Sequence, residues 1–284
     1  MVKIALVTDS TAYIPNELSK AYGITVVPME LIWGDQTYQD GVDIQPDEFY
    51  ARLKTAKVMP TTAQVPMLDM QRTFQELVDQ DFEVLGIFIS ANLSGTWQSV
   101  LQAREALGSS GEKIHVIDSN ATAMAMGFPV LAAARAAEQG ASMKECIAIA
   151  EEACRHVGVY FVVETLEFLH RGGRIGGATR FVGSALNLKP ILELKDGRIE
   201  AHDRVRTKGK ALDRVLELVG ERVRGKSKIR LSALHANAEE EAVQLLNRAT
   251  SELGAIESIL TAVSPVVGVH AGPGTVALAY MTDI

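Results

Sequence analysis

The first half of the chain alternates between short apolar runs and longer segments whose apolar residues have a helical spacing. Three runs rich in Val and Ile predict buried strands: Lys3–Val7, Val84–Ile89 and Ile114–Ile117. Segments of helical length and period lie between or after them: Pro66–Asp79, Thr96–Leu107 and Thr122–Gln139. Strands that alternate with helices are typical of a parallel sheet. We therefore predict an α/β fold with a parallel sheet for this half.

Small polar residues follow each of these predicted strands. They are Thr8–Thr11, Ser90–Ser94 and Asp118-Ser119. In an open α/β sheet, ligands bind outside the carboxyl ends of the strands. The three polar segments therefore predict one shared cleft.

The second half mixes strands, hairpins and helices. Predicted strands are Val157–Val163, Pro190–Leu194, Arg198–Asp203, Lys228–Leu234, Val266–His270 and Thr275–Met281. Predicted helices are Leu166–His170, Ala178–Leu186, Lys208–Glu221 and Glu239–Leu253. Lys195-Asp196-Gly197 is a strong hairpin signal. This pattern predicts a second domain of the α+β class with a mixed sheet, so we divide the chain into residues 1–158 and 159–284.

Composition and charge limit the kind of partner. The chain has 284 residues, is 47% hydrophobic and carries a net charge of −7, which argues against nucleic acid or an anionic membrane as the main partner. No apolar run is long enough for a membrane-spanning helix, and Asp9 comes too early for a signal peptide. Stable membrane insertion is not expected, whereas transient membrane contact is compatible with the sequence. Cys146 and Cys154 are about 12 Å apart on one predicted helix, too far for a disulfide, which favours the cytoplasm.

Two polar stretches are suited to holding a small anion. Pro60–Gln64 and Ser90–Thr96 each supply hydroxyls just before a predicted helix, where free N–H groups attract negative charge. The alternative is that Thr61, Thr62 and Ser94 only cap the helices. A capped terminus still has spare N–H donors, so one hydroxyl can serve both purposes.

Three further segments have both a structural and a functional interpretation. Gly172–Gly177, beside Arg171 and Arg174, is either a flexible turn or a place where backbone passes close to an anion or a packed domain. His270 is either a histidine satisfied by backbone or a site residue next to a Gly-Pro-Gly turn. Ala121–Phe128, which contains Met124 and Phe128, is either core or the lining of a slot for an aliphatic chain.

Two other kinds of site find little support. Gly220–Ser227 matches the spacing of a phosphate-binding loop, but a predicted helix precedes it and a strand follows, which is the wrong order for that motif. The remaining histidines have no spacing that indicates metal: His115, His156, His170, His202 and His235. We predict no metal site.

Seven ordered motifs resemble those of the DegV family, the bacterial fatty-acid-binding proteins that serve fatty acid kinase. They are Val7–Ala12, Thr61–Pro66, Leu93–Ser99, Val116–Ser119, Leu169–Ile175, Leu188–Leu192 and His270–Gly274. Ala63 stands where the family usually has Ser, and Val65 is inserted relative to the shortest form of its motif. The matches span the whole chain, and together they are specific.

The resemblance implies that one long-chain fatty acid, such as palmitate, stearate or oleate, is buried between two domains. It implies that Thr62 and Ser94 hold the carboxylate, with the Gly95 N–H and His270 nearby. The kinase would convert that carboxylate to an acyl phosphate, and Arg206 occupies the position of a basic residue linked to kinase docking. No other cofactor is implied.

The first hypothesis is therefore a fatty-acid carrier without catalysis of its own, which also uses Thr61, Gly172 and Arg174. A second is an acyl-transfer or hydrolytic enzyme with Ser94 as nucleophile and His270 as base, although the chain has no nucleophile-elbow motif. A third is a nucleotide-binding protein that uses Gly220–Ser227.

Overall fold

The computed structural model describes residues 3–183 and 188–283 and contains three sheets within those ranges. The strands in chain order are β1 (Lys3–Asp9), β2 (Thr25–Val27), β3 (Glu30–Trp33), β4 (Gln36–Gln39), β5 (Thr61–Ala63), β6 (Phe82–Phe88), β7 (Ile114–Asp118), β8 (Val157–Val162), β9 (Lys189–Lys195), β10 (Arg198–Val205), β11 (Arg230–His235), β12 (Glu257–Ala262) and β13 (Val276–Met281). The helices are α1 (Asn16–Ala21), α2 (Pro46–Leu53), α3 (Met67–Asp79), α4 (Thr96–Ala106), α5 (Met124–Glu138), α6 (Met143–Arg155), α7 (Glu167–Arg171), α8 (Lys208–Val223), α9 (Glu239–Leu253) and α10 (Pro265–Ala271).

The first sheet has the order β2-β1-β6-β7 and all of its strands are parallel. Its carboxyl ends are joined by hydrogen bonds: the buried Asp9 carboxylate accepts from the Ile89 N–H at 2.8 Å, and Asp118 accepts from the Ala91 N–H at 3.3 Å. The predicted parallel sheet is therefore confirmed, and its polar strand ends meet at one edge.

The second sheet has the order β10-β9-β8-β13-β11-β12 and is mixed, because β11 and β12 are parallel whereas the other neighbours are antiparallel. The predicted hairpin joins β9 and β10, with Asp196 (φ +49°) and Gly197 (φ +73°) in the left-handed region that such a turn requires. The mixed character predicted for this half is confirmed. The domain boundary after residue 158 stays a prediction. Strand β8 begins at Val157, so this boundary would fall within the strand.

A third, antiparallel sheet has the order β4-β3-β5 and was not predicted. In this sheet Thr62 of β5 pairs with Leu31 of β3. Thr61 and Thr62 therefore do not cap α3, which begins at Met67 after Pro66 and has no side-chain cap.

Helix α5 lies between the two larger sheets and is buried along most of its length. An α-helix that is apolar on all faces is expected to be buried on all faces. The largest apolar cluster runs from the parallel sheet through α5 to residues of the mixed sheet such as Val159 and Ala279. A second cluster packs α8 and α9 on the other face of the mixed sheet.

Two predictions of secondary structure were wrong. The predicted strand Val266–His270 is part of α10, because Pro265 takes the first helical position and the chain continues as helix from it. The predicted helix Ala178–Leu186 is instead a 3-10 helix at Gly176–Phe181, and its residues 184–186 lie outside the described residues. Gly183, with φ +81°, follows that turn and is unsuited to a continuing helix.

Candidate functional site

A cavity of about 340 Å³ lies between the parallel sheet, the mixed sheet and α10. Its volume is within the range of small-molecule sites. One end is polar and the rest of the wall is mostly apolar. The polar end is lined by Thr62, Gln64, Ser94, Gly95, Arg174 and His270. The apolar wall includes Met29, Ile89, Leu93, Val159, Phe161, Leu194, Leu234, Val263, Val266 and Ala277.

Thr62 and His270 meet at the polar end, although 208 positions separate them in the sequence. The Thr62 Oγ1 lies 2.8 Å from the His270 Nε2. Strand β5 supplies the threonine and α10 supplies the histidine. The contact therefore depends on how these two elements pack.

His270 is held in its neutral form. Burial lowers its pKa to about 4, and the positive charge of Arg174 contributes in the same direction. The Nδ1 is buried without a hydrogen-bond partner among the described residues. Because an orphaned N–H is costlier to bury than an orphaned lone pair, we place the proton on Nε2. Nε2 then donates to Thr62, which leaves the Thr62 hydroxyl hydrogen free to donate into the cavity.

Gly172 closes the other side of the imidazole. A Cβ on Gly172 would lie 2.1 Å from the His270 Nδ1, so only glycine allows the ring to occupy this position. The glycine-rich segment predicted that its backbone passes close to another group, and at Gly172 that group is the imidazole of His270. Gly172 itself does not line the main cavity.

Arg174 brings a positive charge to the same end. Its Nε donates to the Leu93 carbonyl at 3.0 Å and its Nη1 donates to the Gly172 carbonyl at 2.7 Å. It forms no salt bridge with an acidic side chain in residues 3–183 and 188–283. The half-buried guanidinium is therefore fixed in place while its charge remains available to an anion.

Ser94 and Gly95 form the third side of the polar end. The Ser94 Oγ accepts from the Thr96 N–H at 3.1 Å and lies 3.0 Å from the Thr96 Oγ1. Gly95 is the N-cap residue of α4 and no side chain caps that helix, so the capping role that the alternative interpretation gave Ser94 is not seen. The Gly95 N–H has no hydrogen bond to any other described residue. It adds a free backbone donor.

Gln64 packs across Gly95. A Cβ on Gly95 would lie 1.9 Å from the Gln64 Oε1, and the Gln64 Nε2 donates to the Ser99 Oγ at 2.8 Å. The amide therefore ties the segment after β5 to α4. Gln64 was part of the predicted anion-holding stretch but was not named as a site residue.

Three predicted site residues lie elsewhere. Met124 and Phe128 are fully buried in the core and do not line the cavity, whereas Thr122 and Ala123 just before them do. Thr61 is exposed and lines a neighbouring depression. A helix buried on all sides gives no indication in its sequence of which residues face a cavity.

Tyr13 also lines the cavity, and its hydroxyl lies 3.2 Å from the Ser264 Oγ; no motif in the sequence indicated this residue. Arg206 is exposed just past the end of β10. The hairpin end of that strand contacts Asn92 near the polar end of the cavity. Arg206 is eight residues beyond Arg198, which makes that contact, so an extended strand places it about 26 Å away.

The arrangement does not match the two alternative functions. The His270 Nε2 bonds to Thr62 rather than to Ser94, and its Nδ1 has no orienting acid among the described residues. The Gly220–Ser227 segment begins inside α8, and its Ser227 N–H and hydroxyl are both bonded to Asp283. Within the described ranges there is also no cluster of potential metal ligands and no helix that could cross a membrane.

Comparison with known proteins identifies the family. The sequence model described as "Uncharacterised protein, DegV family" matches residues 3–283. The chain belongs to the DegV family. A DegV domain-containing protein of Halalkalibacterium halodurans is 37% identical to it over the full length of both chains.

Solved structures of this family share the fold. A DegV family protein from Thermus thermophilus, described by its fatty acid binding, is 35% identical with a TM-score of 0.93 and covers 99% of this chain and 100% of its own. DegV from Bacillus subtilis, described as a fatty acid binding protein, is 31% identical with a TM-score of 0.90 and full coverage of both chains. The resemblance found in the sequence is therefore confirmed at the level of family and fold.

Proposed function

We propose that this protein binds one long-chain fatty acid in the cavity and presents its carboxylate to a fatty acid kinase. The observation that carries the proposal is the asymmetry of the cavity: the guanidinium of Arg174 and the donors around it lie at one end. The remaining wall is mostly apolar, apart from the hydroxyls of Thr11, Tyr13, Thr122 and Thr275. A fatty acid has the same asymmetry. The family members from Thermus thermophilus and Bacillus subtilis, described as fatty-acid-binding, support the same ligand.

The carboxylate is assigned to the polar end. Thr62 offers its hydroxyl, Gly95 offers a free N–H, and Arg174 offers a guanidinium whose position is fixed by two carbonyls. Ser94 supports this end through its bonds to Thr96. A buried carboxylate without such partners would be expensive, so these groups fix the orientation of the ligand.

The tail supplies most of the binding free energy. A C16 chain has about 14 methylenes, each contributing about 0.8 kcal/mol on burial, which gives roughly 11 kcal/mol before the costs of ordering. Palmitate, stearate and oleate all suit this account. None of these steps needs a catalytic base, so we propose that the protein has no catalysis of its own.

A second depression supports presentation of the carboxylate. It has a volume of about 340 Å³ and shares Thr62, Arg174 and His270 with the main cavity. The polar end can thus be approached from outside through this depression. We propose that the kinase docks over this depression, with the exposed Arg206 as a more distant contact, and that the product is an acyl phosphate.

The ligand can be tested by mass spectrometry of the purified, denatured protein and by titration with palmitate, stearate and oleate. We expect a bound acyl chain, and we expect the Thr62→Ala, Ser94→Ala double variant to bind at least tenfold more weakly, equivalent to about 1.4 kcal/mol. Absence of any acyl chain together with no binding of added fatty acid would refute the function. Unchanged affinity in the double variant would refute the carboxylate assignment alone.

The kinase step needs a separate test. Fatty acid kinase, ATP and a loaded protein should yield acyl phosphate, and an Arg206→Glu variant should reduce the rate without changing fatty-acid affinity. Lys144→Glu, an exposed charge reversal on α6, which lines neither the cavity nor the depression, is the control. Equal rates for all three proteins would remove Arg206 from the docking surface.

A further inference from the structure

Asp40 is a buried carboxylate that takes no part in the cavity wall. It follows β4 and is 2% exposed. Burial raises its pKa to about 6, against the opposing effect of hydrogen bonds from Ser10, Ser264 and the Val266 N–H. No lysine or arginine pairs with it among the described residues. A buried carboxylate must be hydrogen-bonded, so its partners show what it holds together.

Its two oxygens bind the beginning of α10. The Ser264 hydroxyl donates to Asp40 Oδ2 at 2.8 Å, and the Val266 N–H donates to Asp40 Oδ1 at 3.1 Å. These partners lie 224 and 226 positions away in the sequence. One carboxylate of the N-terminal half therefore fixes the first turn of a helix in the C-terminal half.

The same helix carries His270. Val266 and His270 are four residues apart, so they lie on one face, one turn apart, and both line the cavity. The imidazole has no room to move, because Gly172 lies on one side of it and Thr62 on the other. A small shift of α10 would therefore separate His270 from Thr62.

We infer that Asp40 is a positioning residue for carboxylate binding: by binding Ser264 and Val266 it sets the position of α10 at which His270 reaches Thr62. This inference rests on the proposed function. Asparagine cannot replace the carboxylate, because its amide offers one acceptor oxygen where two donors must be bound.

The test compares Asp40→Asn with Asp43→Asn. Asp43 lies in the same loop, is exposed and accepts from the Gln39 N–H. Asp43→Asn therefore makes the same change of charge as Asp40→Asn, but it removes no contact with α10. We expect Asp40→Asn to weaken the binding of a fluorescent fatty-acid analogue about tenfold and Asp43→Asn to leave it within twofold. Full affinity in a folded Asp40→Asn variant would overturn the inference.

A double-mutant cycle separates positioning from general destabilisation. In a His270→Gln background, Asp40→Asn should cause no further loss of affinity, because it acts through His270. The same tenfold loss in that background would contradict the inference. If Asp40→Asn does not fold, Ser264→Ala replaces it, and the same outcomes decide. That variant keeps the carboxylate and removes its bond from Ser264, together with the contact between Ser264 and Tyr13.

A spectroscopic measurement keeps this inference distinct from the proposed function. In the ligand-free protein, ¹⁵N NMR should show His270 neutral with its proton on Nε2, and Asp40→Asn should change those shifts whereas Asp43→Asn should not. If the wild type bound no fatty acid, the proposed function would fail, and these shifts would still test whether Asp40 positions His270. Identical shifts in all three proteins would refute it.

Discussion

Replacement of Gly172 by alanine tests whether the His270 imidazole must occupy its present position. The new Cβ would lie 2.1 Å from Nδ1, and ordinary contact begins near 3.4 Å. The ring would have to move about 1.3 Å, but Thr62 lies only 2.8 Å from Nε2 on the opposite side. Because neither side has room, the ring must rotate away, and its bond to Thr62 is lost.

The expected magnitude follows from that lost bond. A hydrogen bond of this kind contributes about 0.5–1.5 kcal/mol, so fatty-acid affinity should fall about two- to tenfold. Overpacking at Gly172 should also lower the free energy of unfolding by about 1–3 kcal/mol. Affinity is measured by displacement of a fluorescent fatty acid, and stability by urea unfolding of the ligand-free protein.

Gly209→Ala is the matched control, because a Cβ at Gly209 meets nothing within 4 Å and its φ is not in the left-handed region. It should leave both quantities nearly unchanged. The decisive comparison adds His270→Ala to Gly172→Ala. If Gly172→Ala weakened binding equally with and without the imidazole, or not at all, the reasoning that connects Gly172 to Thr62 through His270 would be refuted.

Two further predictions concern charge. Arg174→Gln should weaken binding of a fatty acid at least tenfold but barely change binding of the matching fatty alcohol. Isothermal titration of both ligands measures the two losses. Equal losses would mean that the charge of Arg174 does not account for the weaker binding. The pKa of His270 is lowered to about 4, so between about pH 6.5 and 4 the unfolded chain binds a proton that the folded protein does not. Acidification across this range therefore lowers the free energy of unfolding by up to about 3 kcal/mol. Asp40, with its pKa raised to about 6, acts with the opposite sign. His270→Gln should therefore lose less stability than wild type on acidification from pH 7 to 4.5, and equal losses in urea unfolding would contradict the depressed pKa.

The longer elements were predictable because several local signals agree. The interval predicted for α9 matches Glu239–Leu253, since acidic residues fill its first turn and Gly254, with φ +65°, ends it. Strands β1, β6 and β7 were found because both faces of a parallel sheet are covered, which leaves nearly continuous apolar runs. In these cases local sequence and tertiary context favour the same structure.

The elements that build the polar end were harder to predict. Strand β5 is three residues long and polar, so nothing in its sequence indicates that Thr62 pairs with Leu31. Helix α10 has an apolar sequence that suits a buried strand equally well, and its first turn is bonded to Asp40, more than 220 positions away. Residue types at the site were recognisable from the motifs, whereas the contacts between them depend on distant segments.

The charges at the polar end suit reversible binding of a carboxylate. Arg174 contributes one positive charge, and by lowering the pKa of His270 it helps to keep the imidazole neutral. A protonated His270 would add a second buried charge that a single carboxylate could not balance. A neutral imidazole still donates to Thr62 and orients its hydroxyl. One carboxylate is thus bound by one cation, Arg174, and by several neutral donors. This balance of charge can bind the carboxylate of a fatty acid and still allow its release.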